Sequence, residues 1–360
     1  RETMQATMRQ RLEGLNFIDV VLWVFRLAII AVVVVGTIGT IRDNPYTSRQ
    51  WIDLLISGLT QGSLYALIAL GYTLVYGVLL MINFAHGEFF MSGVFTATVF
   101  VAIPLNEAGL WNRYPIPCLF VVSIVAMATS VGIAVLTERV AYRPLRRAPR
   151  LVPLITAIGA SFFWQYFFRG LYGSGITAFP DVEALAGKWS VGGIEIGKAD
   201  VVVMVASVLL VVGLYIFVMR TKTGKAMRAV SEDKDVAALM GIDVDRVIVI
   251  TFAVGAALAG AAGILYALLY RQVGFLMGFY PGLKAFTAAV LGGIGSVQGA
   301  ALGGMALGLF ESVAPNLFLE GLGIPGANQL KDVVAFTMLV LVLLFRPQGI
   351  IGEPLAEEKA

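Results

Sequence analysis

Long apolar runs, rather than short alternations, organise this chain. A helix needs about 20 mostly apolar residues to cross the hydrocarbon of a bilayer. Eight stretches approach or exceed that length: 18–41, 52–75, 87–104, 116–137, 151–171, 200–219, 247–270 and 330–346. A further apolar segment, 283–313, is interrupted by Gly292, Gly293, Gly295 and Gln298. It reads either as one long bent helix or as two short pieces meeting at a turn. The pattern predicts an all-α fold, a polytopic membrane helical bundle of about eight to ten transmembrane helices, short broken ones included.

The basic residues orient these spans, because loops rich in Lys and Arg stay on the cytoplasmic side. ERVAYRPLRRAPR (138–150) carries five arginines against one glutamate, and the segment 220–246 carries six basic residues. Two spans separate them, so both belong inside. The connection 172–199 then lies outside, with only Lys188 and Lys198. Arg1, Arg9 and Arg11 place the N-terminus inside, and the RPQG segment after the last span is inside as well. Even parity makes 283–313 contribute zero or two crossings, and the hairpin of two short helices is the better choice. The first span exceeds the apolar core of a signal peptide and no A-x-A site follows it cleanly, so it is expected to be retained.

Composition agrees with this class. Of the 360 residues, 58% are hydrophobic and 14% charged, against about 45–50% and about 25% in soluble domains. The 40 glycines suit helices that pack closely or break. A lone cysteine, Cys118, excludes an intrachain disulfide or a cysteine metal cluster, and reads as a small buried hydrophobe. There is no G-x-x-x-x-G-K-[ST]; the nearest string, TGKAM at 223–227, has the wrong length and no Ser or Thr after the lysine. The chain therefore binds no ATP through such a loop. With one histidine and no G-x-S-x-G, it is expected not to be an enzyme, and no basic, aromatic-rich patch suits nucleic acid. No metal site is expected. Gln61-Gly62 and Leu70-Gly71 are echoed by Gln298-Gly299 and Leu307-Gly308 at the same spacing, a faint trace of the internal repeats found in transporters. Gly299, Gly303, Gly304 and Gly308 form two G-x-x-x-G pairs suited to close helix packing.

Polar side chains inside such a bundle usually face its interior or a cavity. MINFAHGEFFMSG (81–93) holds the only histidine, His86, with Asn83 and Glu88. GVLLMINF is too apolar for a free loop and is expected to dip back as a short helix ending at Asn83–Gly87. Glu88 then opens the next helix, where its charge suits the positive dipole end. These residues read either as cap and turn or as lining of a translocation path or its inner gate. A proton relay through His86 would need a partner among Arg169, Glu311 and Asp53. Gln61, Ser63 and Tyr65 either face the path or bond neighbouring helices.

The 220–246 segment is longer than a simple connection needs. SEDKDVAALMG within it predicts a short helix capped by Ser231, with Glu232 and Asp233 in its first turn. Asp233, Ala237 and Gly241 share one face with Ala238 beside it. A face of small residues permits docking into a groove of another protein, and Lys225 and Arg228 form a basic edge before it.

Asp235-Val236-Ala237-Ala238 followed by Gly241 resembles the cytoplasmic coupling segment of ABC importer permeases, although the usual leading Glu-Ala-Ala is not kept literally. The larger resemblance is to the branched-chain amino-acid permease family, in the subgroup carrying NFAHG. It rests on ISGLTQGSLYALIALGYTLVYGVLLMINFAHGEFFMSG (56–93), AALMGIDVDRV (237–247), GLKAFTAAVLGGIGSVQGAALGG (282–304) and FRPQGI (345–350), in that order. It covers roughly 52–350. It implies a permease domain over 51–350, preceded by an extension (1–50) with one extra transmembrane helix and followed by a cytoplasmic tail (351–360). It further implies one transmembrane subunit of an importer in a bacterial inner membrane, carrying branched-chain amino acids, or alternatively urea or short amides. The implied partners are two cytoplasmic ATPases that supply ATP and Mg²⁺ chemistry, a second related permease in a heterodimer, and an extracytoplasmic binding protein. The coupling helix would use Glu232, Asp233, Asp235, Ala237, Ala238 and Gly241. A proton-coupled carrier and a purely structural subunit are the competing classes.

Overall fold

A lipid-embedded backbone must pair its own N–H and C=O groups, and a helix does so within a single segment. The structure, a computed structural model, describes residues 17–351 apart from Asn44, Arg147 and Arg150. Arg1, Arg9 and Arg11, on which the inward N-terminus rests, and tail residues 352–360 lie outside the described residues. Eight helices follow the apolar runs closely. They are α1 (Phe17–Asp43), α2 (Ser48–Leu79), α3 (His86–Ala97, continuing to Glu107), α4 (Pro115–Thr137), α5 (Leu151–Tyr172), α6 (Lys198–Arg220), α9 (Val244–Tyr270) and α12 (Lys331–Phe345). Two short helices, α7 (Lys222–Glu232) and α8 (Lys234–Leu239), intervene before α9.

The interrupted segment is a hairpin, α10 (Phe279–Gly292) and α11 (Val297–Ala314), broken where its glycines stand. Gly293 and Gly295 have φ of 109° and 99°, and Ser296 starts α11 by accepting from the Gly299 amide. Ile350 and Ile351 donate to the carbonyls of Leu291 and Gly292, which ties the RPQG segment to this turn. Nine helices among the described residues are long and apolar enough to span, and α10, with 14 residues, is the short tenth.

α2 and α9 are the most enclosed helices, whereas α1 and α12 turn most of their surface outward. Exposed Val24, Ile38, Ile155 and Leu209 have the chemistry of a lipid-facing rim. Lipid is as apolar as leucine, so helices in it associate by close packing rather than by escape from water. The glycine pairs of α11 provide that packing on two sides. Gly304 and Gly308 lie on Ala66 and Gly62 of α2, so close that a Cβ on either would overlap the α2 backbone. Gly299 and Gly303 lie against Gly292 and Ala288 of α10 in the same way. One member of each glycine echo thus meets the other, Gly62 against Gly308.

The two ends of the bundle differ. At one, Arg146 pairs with buried Glu138 and, together with Arg143, with Asp245 at the start of α9. The two basic segments therefore share one end, as their charges require. At the other, β1 (Thr177–Ala178) pairs antiparallel with β4 (Gln272–Val273), and β2 (Lys188–Val191) with β3 (Ile194–Gly197). Arg49 beside the start of α2 reaches Glu195 of this hairpin at 2.5 Å. α1 docks on the chain after α11: Gly36 and Gly39 abut Phe318 and Gly321, and Thr40 Oγ1 donates to the Leu317 carbonyl at 3.0 Å.

Replacing Gly308 with Ala forces a methyl group into the α2 backbone and should destabilise the fold by about 2 kcal/mol or more. Gly132→Ala, on the open face of α4 with nothing within 4 Å, should change stability by about 1 kcal/mol at most. Thermal unfolding of both variants in detergent micelles checks the contrast.

Candidate translocation and coupling sites

The path after α2 departs from the sequence expectation. α2 does not stop near residue 75 to let a second short helix dip back. It runs on to Leu79 and is closed by Leu80 in the left-handed conformation, φ 55°, donating to the Tyr76 carbonyl. The apolar Gly77-Val78-Leu79 is thus helix with Leu80 as its cap, and Asn83-Phe84-Ala85 is a turn in which the His86 amide donates to the Asn83 carbonyl at 3.1 Å. The residues after it open α3, and the whole junction is enclosed rather than exposed.

Three polar side chains leave this junction in three directions. Asn83 Oδ1 accepts from the Tyr142 hydroxyl at 2.6 Å, anchoring the turn to the end of α4. His86, 1% exposed, lies edge-on to Tyr72 and Phe89, with ring centroids 4.7 and 5.8 Å away, and its Nε2 presses on Gly71 of α2. Glu88, also 1% exposed, turns toward α5: its Oε1 accepts from Gln165 Nε2 at 2.7 Å and Ser161 Oγ at 3.1 Å. Glu88 stands in the first turn of α3 but makes no capping hydrogen bond. Its Oε2 has no partner, and Glu88 is among the residues that line a cavity of about 180 Å³ between α3, α5 and α10. The relay candidates do not gather round His86: Arg169 lies over Tyr166 and Phe275, and Glu311 pairs elsewhere.

Gln61, Ser63 and Tyr65 do not converge on this junction. Gln61 donates to Ser57 at 3.4 Å within α2, and Ser63 donates to the Leu59 carbonyl at 2.7 Å and reaches Met305 Sδ of α11 at 3.6 Å. Tyr65 instead lies 5.9 Å beneath the Lys284 ammonium. Lys284 is the residue that the sequence reading passed over. From α10 it reaches Glu311 of α11 and Asp332 of α12, each at 2.6 Å, with Lys284 8% and Glu311 1% exposed. A lysine inside an otherwise apolar 14-residue helix was the available signal.

The 220–246 segment holds two helices in place of one. Ser231 ends α7, donating to the Arg228 carbonyl at 2.8 Å, so it caps nothing, and Glu232 closes α7 instead of opening the next helix. Asp233 is the cap: its carboxylate accepts the amides of Asp235 and Val236 at 2.8 and 2.9 Å and starts α8. Gly241 follows α8 at φ +82°, which a residue with a Cβ adopts only with strain. Ile242 N–H donates to the Ala237 carbonyl and Gly241 N–H to that of Ala238, a closed helix terminus. Of the expected small-residue face, Asp233, Ala238 and Gly241 are exposed and Ala237 is buried against the chain itself; beside it Val236, Leu239 and Met240 are 53%, 87% and 78% exposed. Burial, and secondarily the neighbouring Arg146, hold the Lys234 ammonium below its ordinary range.

The family described as "Branched-chain amino acid transport system / permease component" matches residues 54–343. The chain belongs to this family. It is 44% identical over 314 residues to the high-affinity branched-chain amino acid transport system permease protein BraD of Pseudomonas aeruginosa, covering 86% of this chain and 98% of that one. It is 41% identical over 313 residues to LivH of Escherichia coli K12, with 86% and 97% covered. A probable branched-chain permease, LivH of Methanocaldococcus jannaschii, is 28% identical over 300 residues, with 83% and 92% covered. No solved structure matches. The chain is a multi-pass membrane permease subunit, and α1 precedes the part that matches the family.

Removing one partner of a buried ion pair strands the other, which costs about 3–5 kcal/mol, whereas replacing both with apolar groups is close to neutral. Lys284→Met alone should therefore lower the unfolding temperature in detergent markedly, and Lys284→Met with Glu311→Leu should recover most of the loss.

Proposed function

We propose that this chain is one transmembrane half of an ATP-driven importer for branched-chain amino acids, with its basic end in the cytoplasm of an inner membrane. Family membership and the names of the relatives support the substrate class. The observation that carries the coupling role is the exposed apolar tip of α8. Leu239 and Met240 stand in water on a rigidly closed helix, and large apolar side chains so placed mark contact with another protein. Asp233 and Gly241 fix the two ends of that helix, while Asp235 and Ala238 lie on its exposed side. The chain has no phosphate-binding loop, and ATP and Mg²⁺ are handled by two cytoplasmic ATPase subunits of the importer, one of them docked on α8. Arg146 links Glu138 of the α4 end to Asp245 of α9, and α8 leads directly into α9. A push on α8 is thereby shared between two spans, a bistable element biased by the nucleotide state of its partner. A second, related permease completes the pathway, an extracytoplasmic binding protein delivers substrate to the hairpin end, and N- and C-termini lie inside.

The test is co-purification of the tagged chain with the ATPase of the same importer. Leu239→Arg leaves the spans untouched and removes an apolar anchor, a change that costs about 2 kcal/mol or more at the centre of an interface. The expected result is that wild type retains the ATPase and takes up leucine with ATP, whereas the variant loses both. Full retention of the ATPase by Leu239→Arg would falsify docking on α8.

A further inference from the structure

We propose that the cavity between α3, α5 and α10 is a transit site for the carried amino acid, in which Glu88 takes the ammonium group; this rests on the transport reading above. The cavity holds about 180 Å³, and an apolar cavity of roughly 150 Å³ is known to accept a ring the size of benzene. An aliphatic side chain therefore fits. Phe84, Ile158, Phe162 and Leu283 give it carbon walls, and Tyr72, Ser161 and Glu88 bring polar groups to it.

Glu88 is the unfinished part of this wall. Its Oε1 is satisfied by Ser161 and Gln165, but Oε2 is buried with no donor, and no basic side chain pairs with it among the described residues. A buried carboxylate oxygen left without a partner is costly, and a charged N–H donor is its strongest complement. The opposite charge has a place in the same cavity. α10 begins at Gly278 and Phe279, both on the cavity wall, with no side chain capping it. Its dipole favours a carboxylate, and in its first turn the Tyr280 N–H is the donor left over, since Phe279 donates to Leu276, Gly282 donates to Gly278 and Pro281 has no N–H. Gly278 and Gly282 let that helix end lie directly on Gly87, one residue from Glu88. The cavity thus offers an acceptor for –NH₃⁺, a positive helix end for –COO⁻ and a carbon pocket for the side chain. A lipid acyl chain would fill only the last of these and leave Oε2 unpaired.

The test uses the assembled importer in nanodiscs without its binding protein, and reads bound tritiated leucine by scintillation proximity. Wild type should bind leucine. Isopentylamine should compete, and 4-methylpentanoate, which lacks the ammonium group, should compete about tenfold less well or worse. Glu88→Gln keeps an acceptor for Ser161 and Gln165 and should raise the half-saturating leucine concentration about tenfold or more. Phe162→Trp, which enlarges a side chain of the carbon wall, should reduce leucine occupancy in a complex that still assembles. Unchanged leucine binding in both variants overturns the proposal. So does equal competition by 4-methylpentanoate, or a wild-type cavity that holds phospholipid and no leucine. ATP-driven leucine uptake by the wild-type importer with its binding protein is measured alongside. Uptake that persists at wild-type rates in Glu88→Gln removes this site and leaves the transport reading standing, whereas no wild-type uptake removes the transport reading itself.

Discussion

The approach of α11 to α2 and α10 at glycine distance is the constraint on which the rest of this bundle depends. In lipid the helices gain little by hiding apolar surface from one another, so association relies on dispersion contacts that fall away steeply with separation. Two glycine pairs on one helix bring two neighbours into backbone contact at once. That places α10 within reach of α12 through Lys284 and sets its N-terminus against Gly87 at the start of α3. Both the ion cluster and the cavity are thus consequences of the absence of side chains elsewhere.

Close packing also decides which polar groups are tolerable. Asn83, His86 and Glu88 are neighbours in sequence but serve three different helix contacts, with α4, α2 and α5. The cost of burying each is met only in part, by a hydroxyl, by aromatic edges, and by an amide with a hydroxyl. Each leaves one polar atom without a partner, Asn83 Nδ2, His86 Nε2 and Glu88 Oε2, and of the three residues only Glu88 lines the cavity. The Lys284 cluster follows another rule, in which opposite charges are buried together and the more exposed Asp332 connects them to the surface.

How far the chain could be read in advance follows from the range of each interaction. Span positions were legible because twenty apolar residues in a row have few other uses, and the hairpin at 283–313 because its apolar run breaks at Gly292, Gly293, Gly295 and Gln298 while even parity allowed it two crossings. The turn after α2 was misjudged: GVLL suits a continuing helix and a returning one equally, and the choice rests on the tertiary fit of His86 to Gly71. Ser231 and Asp233 are both good caps, and the backbone kink at Asp233, φ −153° and ψ 117°, selects the second. Gly241, expected on the small face, also terminates the helix, two roles that one residue type can hold together. The burial of Ala237, which takes it out of the expected docking face, depends on how α8 folds back on its own chain, and spacing along one helix carries no trace of that.

The attachment of α1 restricts assembly geometry. It is held to the chain after α11 through Gly36, Gly39 and Thr40, and it lies outside the stretch matched by the family. The edge around Phe318 and Gly321 is therefore already occupied from within the same chain. Any second permease must approach another flank or dislodge a helix seated backbone to backbone, so a subunit of this build has fewer ways to pair than the family core would have by itself.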